Sequence, residues 1–547
     1  MAFGLWASGV LVYPLTLRRA RSRSAPLPLN TLLGFVTILM LAAALRFIAV
    51  GDIPVNMHND EIAPVLESRR IARGLAPNVF STVGWYNTPN FAFTFVALML
   101  MLLPQDPIFA ARLCTAFLGM GGITFTFLLA RRLFAHRVAL IAIFLMAVSL
   151  WHVGDSRSAL TFVQSSFCTS LVLYLVVRGQ QDRSRTVLAF AGICAGLAAE
   201  CYFPSRIVLL LCPGYLLMHW MQNRVPLRSA IADALAFGIA AVLVLAPLLA
   251  SIQWGIIVER SQQVLVTDPR ARANFERLYQ VSGVLPVFLR NIGQTLSMFT
   301  DWAHLAASGP SKVGLLDVGT LTALVVGGVV ALLGGEPDRL FVLVWLLFTM
   351  LVGVAFTDDP RAAYRLAAAM PAVFMLAGLG LEHLLQFQRR QRYQRVVRPA
   401  VICSAAMLIF IPNYRALFAT PSEHYESVAL RLVGSHCDGR KFYFVGNWYG
   451  PGPPPSREPP HLELFCQDYI ALAPDQIPQG VDTGRGAMFL VISWADHHAL
   501  EVLRSCYPSA EVTPHKSTDG RLLFTAVDAP IESVQNAGSC PTQQVTS

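Results

Sequence analysis

A chain of 547 residues that is 54% hydrophobic and only 14% charged is too apolar for an ordinary soluble enzyme, because soluble domains carry about 25% charged residues. Its mean hydropathy of +0.52, with apolar runs near the roughly 20 residues that cross a bilayer, marks a multi-pass membrane protein. The net charge of +9 could suggest nucleic acid, but the basic residues lie in short clusters between apolar runs, where topology signals explain them better and no nucleic-acid partner is expected.

In chain order, residues 4–17 are apolar but short for a span, and read as an interfacial or partial helix. The charge follows this stretch, which argues against a cleaved signal peptide. Arg18, Arg19, Arg21 and Arg23 then mark the cytoplasmic side. Residues 29–50 make the first full span and carry the chain outward, so Asp60 and Glu61 lie outside. The apolar stretch 90–103 is short and followed by Pro104. Read as non-crossing, it leaves Arg131, Arg132 and Arg137, then Arg178, Arg183 and Arg185, then Arg224 and Arg228 on the cytoplasmic side. The cluster Arg389, Arg390, Arg392, Arg395 and Arg398 falls on the same side, a sustained bias of the kind the positive-inside rule requires.

The remaining spans then fall at about 112–131, 138–154, 159–178, 187–202, 205–222, 229–251, 313–334, 339–356, 363–386 and 397–413, about eleven in all with 29–50. The outside receives the 51–111 loop, the 155–158 and 202–206 turns, a long 252–312 loop, the 357–362 turn and the C-terminal tail. A 252–312 loop that is amphipathic in places is too long for a mere connector and suits a lid. The fold expected is thus mainly α. A polytopic helix bundle fills 1–420 and a small extracytoplasmic α/β domain fills 421–547. Within that domain 421–434 and 496–505 read as helices, and 441–446, 487–492 and 521–527 as strands. Residues 450–460 are a Pro/Gly-rich loop.

The ten cysteines divide by surroundings. Cys114, Cys168, Cys194, Cys201, Cys212 and Cys403 accompany apolar runs as small packing residues. Cys437, Cys466, Cys506 and Cys540 fall in the polar C-terminal region, where two bridges would form in an oxidising compartment; three pairings are open. No CxxC or Cys/His spacing makes a structural zinc site.

The chemistry centres on His58-Asn59-Asp60-Glu61. Adjacent carboxylates at the water-facing end of a span are functional candidates, because ionisable groups are costly near hydrocarbon. Asp60 is suited to general-base activation of an acceptor hydroxyl, with Glu61 orienting it or holding a divalent cation. A plain helix N-cap by Asn59 or Asp60 uses the same residues. No metal site is required, and His58 alone does not make one. A donor phosphate needs fixed cations, for which the planar guanidinium is suited. The external candidates are Arg206, Arg361 and Arg365, with Arg69 and Arg157 behind them. Tyr202 has the reach to bond the same phosphate, and Trp85 with Tyr86 could stack on a sugar. Each also suits a helix-end arginine or an interfacial aromatic.

The order of short motifs adds to this. Asn87-Thr88-Pro89 precedes Arg112-Leu113, Leu129-Ala130-Arg131-Arg132-Leu133-Phe134, Trp151-His152 and Ser156-Arg157. Then come Gly196-Leu197, Tyr202-Phe203-Pro204-Ser205-Arg206, Pro360-Arg361, Tyr364-Arg365 and Met370-Pro371. Over about 40–390 this resembles the protein-O-mannosyltransferase and aminoarabinose-transferase group of C-type (GT-C) membrane glycosyltransferases. The resemblance implies a polyprenyl-phosphate sugar as donor and transfer outside the cytoplasm, generally with inversion, with Asp60 matching the catalytic aspartate. The chain departs from the group at Asn87-Thr88-Pro89-Asn90, where relatives often have Lys or His before Pro-Pro. It departs again after Ser156-Arg157, where Ser158-Ala159-Leu160-Thr161 stands in place of a nearby aspartate, and Asp155 has the wrong offset to replace it.

Two other classes fit parts of the pattern. A lipid-linked glycan transporter or flippase should place ionisable groups near the midplane and show matching halves. Here the charges gather at span ends, which favours interfacial catalysis. A polymerase or ligase would differ in using a diphosphate-linked glycan. The acceptor (protein, lipid or glycan), the sugar and the oligomeric state are not encoded legibly. The Arg-rich, Lys-poor composition suits a bacterial plasma (inner) membrane.

Overall fold

A computed structural model describes residues 2–17, 27–54, 59–76, 78–301, 314–387, 407, 409–415, 418, 432–433, 440–445, 469–472, 486–492, 497–516, 520 and 522–535. The chain divides into two compact units. One comprises Met1–Ile53 with Glu67–Ala419, the other Pro54–Leu66 with Thr420–Ser547.

The first unit is helical. Among the described residues, six helices are long and apolar enough to cross a membrane: Leu29–Phe47, Pro107–Leu133, Phe162–Gln181, Leu227–Leu249, Pro337–Ala355 and Ala363–Gln386. The bent pair His136–Val148 and Leu150–Arg157 makes a seventh if counted as one span. Between these run the 16-residue helices Arg185–Glu200 and Val208–Asn223. Asn90–Leu102 and Val318–Gly334 are shorter apolar helices.

Local chemistry sets many of the helix ends. The Asp106 side chain accepts from the Phe109 N–H, with Pro107 at the first helical position. Asp317 accepts from the Thr320 N–H, and Ser184 from the Val187 N–H. Each satisfies a donor that a helix start leaves unpaired. Gly335 ends its helix in the left-handed conformation (φ 64°).

Two details differ from the sequence expectation. The apolar run 138–154 is broken at Ser149, whose extended backbone (ψ 129°) turns the chain by 57°. The 155–158 turn is therefore the end of a second helix, Leu150–Arg157. The long 252–312 loop holds three helices, Gln253–Gln263, Pro269–Tyr279 and Val284–Ser297. The 397–413 span and the 421–434 helix fall mostly outside the described residues.

Small residues let helices approach closely, as membrane packing requires. A Cβ at Gly327 would lie 1.8 Å from the Leu376 carbonyl oxygen, and one at Gly380 would lie 2.0 Å from that of Ala323. At the far end of the bundle from the site described below, ion pairs tie span ends together. Arg132 grips Asp182 with two bonds of 3.0 and 3.2 Å, and Arg185 meets Asp233 at 2.9 Å.

The second unit holds a five-stranded sheet in the order β2-β1-β3-β5-β4. Its strands are β1 (Arg440–Val445), β2 (Tyr469–Leu472), β3 (Gly486–Ile492), β4 (Glu511–Lys516) and β5 (Leu522–Ala529). β1 runs parallel to β2 and β3, while β5 is antiparallel to β3 and β4. The near-continuous apolar central strands are what a sheet covered on both faces requires. Tyr443, Phe489 and Val491 pack with Ala499, Leu503 and Tyr507 of the following helix and turn. Arg440 pairs with Asp528 across the sheet at 2.7 Å. Cys506 is disulfide-bonded, its partner lying outside the described residues.

Candidate active site

Three turns of the helical unit converge on one aromatic cluster. Leu160, Phe162 and Tyr202 are buried together, with Phe203 and Tyr364 packed on them. The Phe162 ring lies 5.2 Å from that of Tyr202 and stacks at 5.2 Å on that of Tyr364. Ser205 Oγ donates to Ser165 Oγ at 3.2 Å and fixes the Phe203–Ile207 turn to the start of the Phe162–Gln181 helix. Residues 155–162, 202–206 and 357–365 thus share one end of the bundle, which brings Tyr202, Arg206 and Arg365 into one neighbourhood.

The arginines in these turns differ in what they already hold. Arg157 is fully buried. Its Nε donates to Ile53 O at 3.1 Å and its Nη1 to Leu45 O at 2.8 Å. Its Nη2 donates to Ile48 O and Ala49 O, each at 2.9 Å. A cation at the carbonyl-rich end of the Leu29–Phe47 helix is stabilised by the helix dipole. Arg157 therefore ties off that helix and is committed to backbone.

Arg206 is different. Its Nε donates to Ala199 O at 3.1 Å, and its guanidinium lies over the Phe203 ring, 4.2 Å from the centroid. Its Nη2 is sealed from solvent with no hydrogen-bond partner among the described residues. Nearby, Glu200 ends the Arg185–Glu200 helix, is fully buried, and has neither carboxylate oxygen bonded among the described residues.

Arg365 sits between these cases. It donates to Thr357 Oγ1 and, at 2.8 Å, to Asp358 Oδ1. Tyr364 Oη donates to Asp359 Oδ2 at 3.2 Å. Arg361 donates to the Asp301 carbonyl and faces the Asp301 carboxylate at 3.9 Å. The long loop is stitched onto this same turn. Asn291 Nδ2 donates to Ala355 O at 3.0 Å, Thr295 Oγ1 to Pro360 O at 2.8 Å, and the Asp358 N–H to Val264 O at 2.7 Å. Just before the turn, Thr349–Ala355 is a π-helix, a local irregularity frequent at functional sites.

Behind Arg157, a polar chain crosses the bent helix pair. Arg46 is fully buried and meets His152 Nδ1 at 2.7 Å and Ser156 Oγ at 3.3 Å. Asp155 is buried with Oδ2 unpartnered among the described residues. Trp85 lies in a short turn, edge-on to Tyr86 at 4.7 Å. That turn is unusual, since Tyr86 (φ 50°) and Asn87 (φ 58°) are both left-handed without being glycine.

Asp60 and Glu61 occupy the first turn of the Asn59–Ala72 helix, where the dipole favours carboxylates, and Arg69 lies in its last turn. Glu61 is buried and Asp60 half-buried. Residues of this helix up to Leu66 group with the second unit, and Arg69 with the first. His58 lies outside the described residues. Among the described residues, no three His, Cys, Asp or Glu side chains are grouped to hold a metal ion. Sequence reasoning missed Phe162, Asp358 and the environment of Glu200, and named Tyr364 only as part of a motif. A buried-facing aromatic just after the Ser-Arg pair, and an acid ending an apolar helix, were the available signals.

The family model described as dolichyl-phosphate-mannose-protein mannosyltransferase matches residues 87–250. This stretch includes Asn87, the Ser156-Arg157 pair and the Tyr202–Arg206 turn, but not Asp60 or Arg365. No curated protein matches the chain. Among solved structures, ArnT from Cupriavidus metallidurans bound to undecaprenyl phosphate is similar at a TM-score of 0.53 and 13% identity, over 91% of this chain and 97% of that one. The oligosaccharyltransferase of Archaeoglobus fulgidus aligns at a TM-score of 0.48 and 13% identity, over 94% of this chain and 77% of that one. The apolar helices and the shared fold make the chain an integral membrane protein. The resemblance read from the motifs stands: this chain is similar to the GT-C membrane glycosyltransferases of the protein-O-mannosyltransferase and aminoarabinose-transferase group.

Proposed function

We propose that the protein transfers one sugar from a polyprenyl-phosphate carrier to an acceptor hydroxyl at the extracytoplasmic face of the plasma membrane. Asp60 removes the acceptor proton as the hydroxyl attacks the anomeric carbon, and Glu61 orients it. Arg206 and Arg365 hold the phosphate of the departing carrier, with Arg361, Arg69, Tyr202 and Trp85 contributing to donor binding. Phosphate leaves as a stable anion, so preorganised cations do the electrostatic work and no cofactor is required. A divalent cation on Asp60 and Glu61 is the variant of this scheme that chelation tests.

The observation that carries the reading is Arg206, a guanidinium at the converging end of the bundle with a buried donor that no described residue takes up. Donors of this kind bind phosphate oxygens strongly. The fold shared with an undecaprenyl-phosphate-bound structure supports the same donor class. The disulfide at Cys506 supports an oxidising compartment for the C-terminal region, which we assign to acceptor selection.

The test is incubation of the purified full chain with undecaprenyl-phosphate esters of labelled hexoses and pentoses. Loss of label from the lipid fraction supports the reading. Vectorial movement of intact lipid across a vesicle, with no loss of label, would replace it with transport.

A further inference from the structure

Glu200 breaks three ordinary rules at once. It is a carboxylate in the last turn of a helix, where the dipole disfavours negative charge. It is fully buried, and both of its oxygens lack a hydrogen-bond partner among the described residues. Buried polar groups are almost always bonded, so each exception calls for an explanation. The neighbouring cation does not supply one. Arg206 is within electrostatic range, yet its described hydrogen bond goes to the backbone of Ala199, one residue before Glu200. A mutual ion pair would satisfy both groups, and none is formed between them.

The chemistry of the two unmet needs defines what fits between them. The Glu200 carboxyl offers hydrogen-bond acceptors, and the guanidinium can only donate. A phosphate alone suits Arg206 but leaves the Glu200 acceptors without a donor. A second cation alone suits Glu200 but is repelled by Arg206. A phosphate ester of a sugar suits both, because hydroxyls on the ring carbons near the anomeric centre lie within a few ångströms of the phosphate. The Phe203 and Tyr202 rings beside Arg206 supply the apolar wall such a subsite needs.

We infer that Glu200 is a sugar-reading residue. It accepts hydrogen bonds from donor hydroxyls next to the phosphate that Arg206 holds, and so distinguishes the glycosylated carrier from the bare one. This rests on the proposed donor class and extends it to a residue outside the family motifs.

The experiment measures binding of undecaprenyl phosphate, and of its mannose and arabinose esters, to the full chain in lipid nanodiscs. For the wild type, at least one ester should bind more tightly than the bare carrier. Glu200→Gln keeps the size of the side chain and replaces one acceptor oxygen by an amide N–H donor. It should weaken that ester about 10- to 100-fold while leaving the bare carrier within about twofold. Glu200→Asp, which withdraws the carboxylate by one methylene, should lose part of the same preference. Equal weakening of carrier and ester in both variants would make Glu200 a support for Arg206 and overturn the sugar-reading role. No weakening of either would overturn it also. A wild type that binds neither the carrier nor any ester would instead overturn the donor class itself.

Discussion

Arg157 and Arg206 stand at the same end of the bundle, and both look like phosphate ligands in the sequence. The structure gives them opposite surroundings. Arg157 is sealed among four backbone carbonyls left open by a helix end, whereas Arg206 keeps a buried donor with no partner among the described residues. The difference teaches that burial of a cation does not by itself mark a binding site. What marks it is a donor left over once the protein's own acceptors are served.

The largest effect that sharpens this contrast is on folding. Arg157→Ala strands several buried carbonyls and empties the space the side chain filled, at a cost of about 3–5 kcal/mol. The variant should fail to accumulate as a monodisperse protein or should melt far below the wild type in a detergent thermal-shift assay. Arg206→Ala should melt within a few degrees of the wild type. Its loss should appear in binding of undecaprenyl phosphate, about 10- to 100-fold weaker. If the two variants exchange behaviours, the contrast is wrong.

The smallest effect is a control within the long loop. Glu276 accepts from the Gly283 N–H at 2.7 Å and from Arg272 at 2.9 Å, and these bonds hold its carboxyl below the usual range. A depressed folded-state value means that its contribution to stability is present above about pH 4.3, the ordinary glutamate value, and is lost as the pH falls through the folded value. Hydrogen exchange in residues 269–284 should therefore speed up under acid in the wild type. Glu276→Gln should flatten that acid dependence without altering donor binding. A wild-type exchange profile that is flat with acid would contradict the local role.

Much of the architecture was legible before the structure. The strands near 441–446, 487–492 and 521–527 announced themselves because their aromatic and branched apolar residues form the covered middle of the sheet. The edge strands were not legible. β2 is four residues long, and β4 (EVTPHK) is polar and contains a proline, as an edge tolerates. The break at Ser149 was hidden because an apolar run carries no mark of a bend made by one extended residue.

The site was legible only in part, for a related reason. Residue type and spacing showed which turns hold cations but not which acceptors the fold would bring to them. The carbonyls that occupy Arg157 come from over 100 positions away in sequence. Asp358 was close to Arg365 in sequence, yet the turn that presents it to the guanidinium depends on Asn291 and Thr295 from the long loop.

The central claim is that Asp60 serves as the base of a sugar transfer. Asp60→Asn is the most direct measurement, because it removes the proton acceptor and preserves the shape. Loss of sugar from labelled undecaprenyl-phosphate donor should fall by about 10²- to 10⁴-fold, the usual range for general-base catalysis, with donor affinity within about threefold of the wild type. Sugar transfer by the Asp60→Asn variant at near wild-type rate would contradict the account.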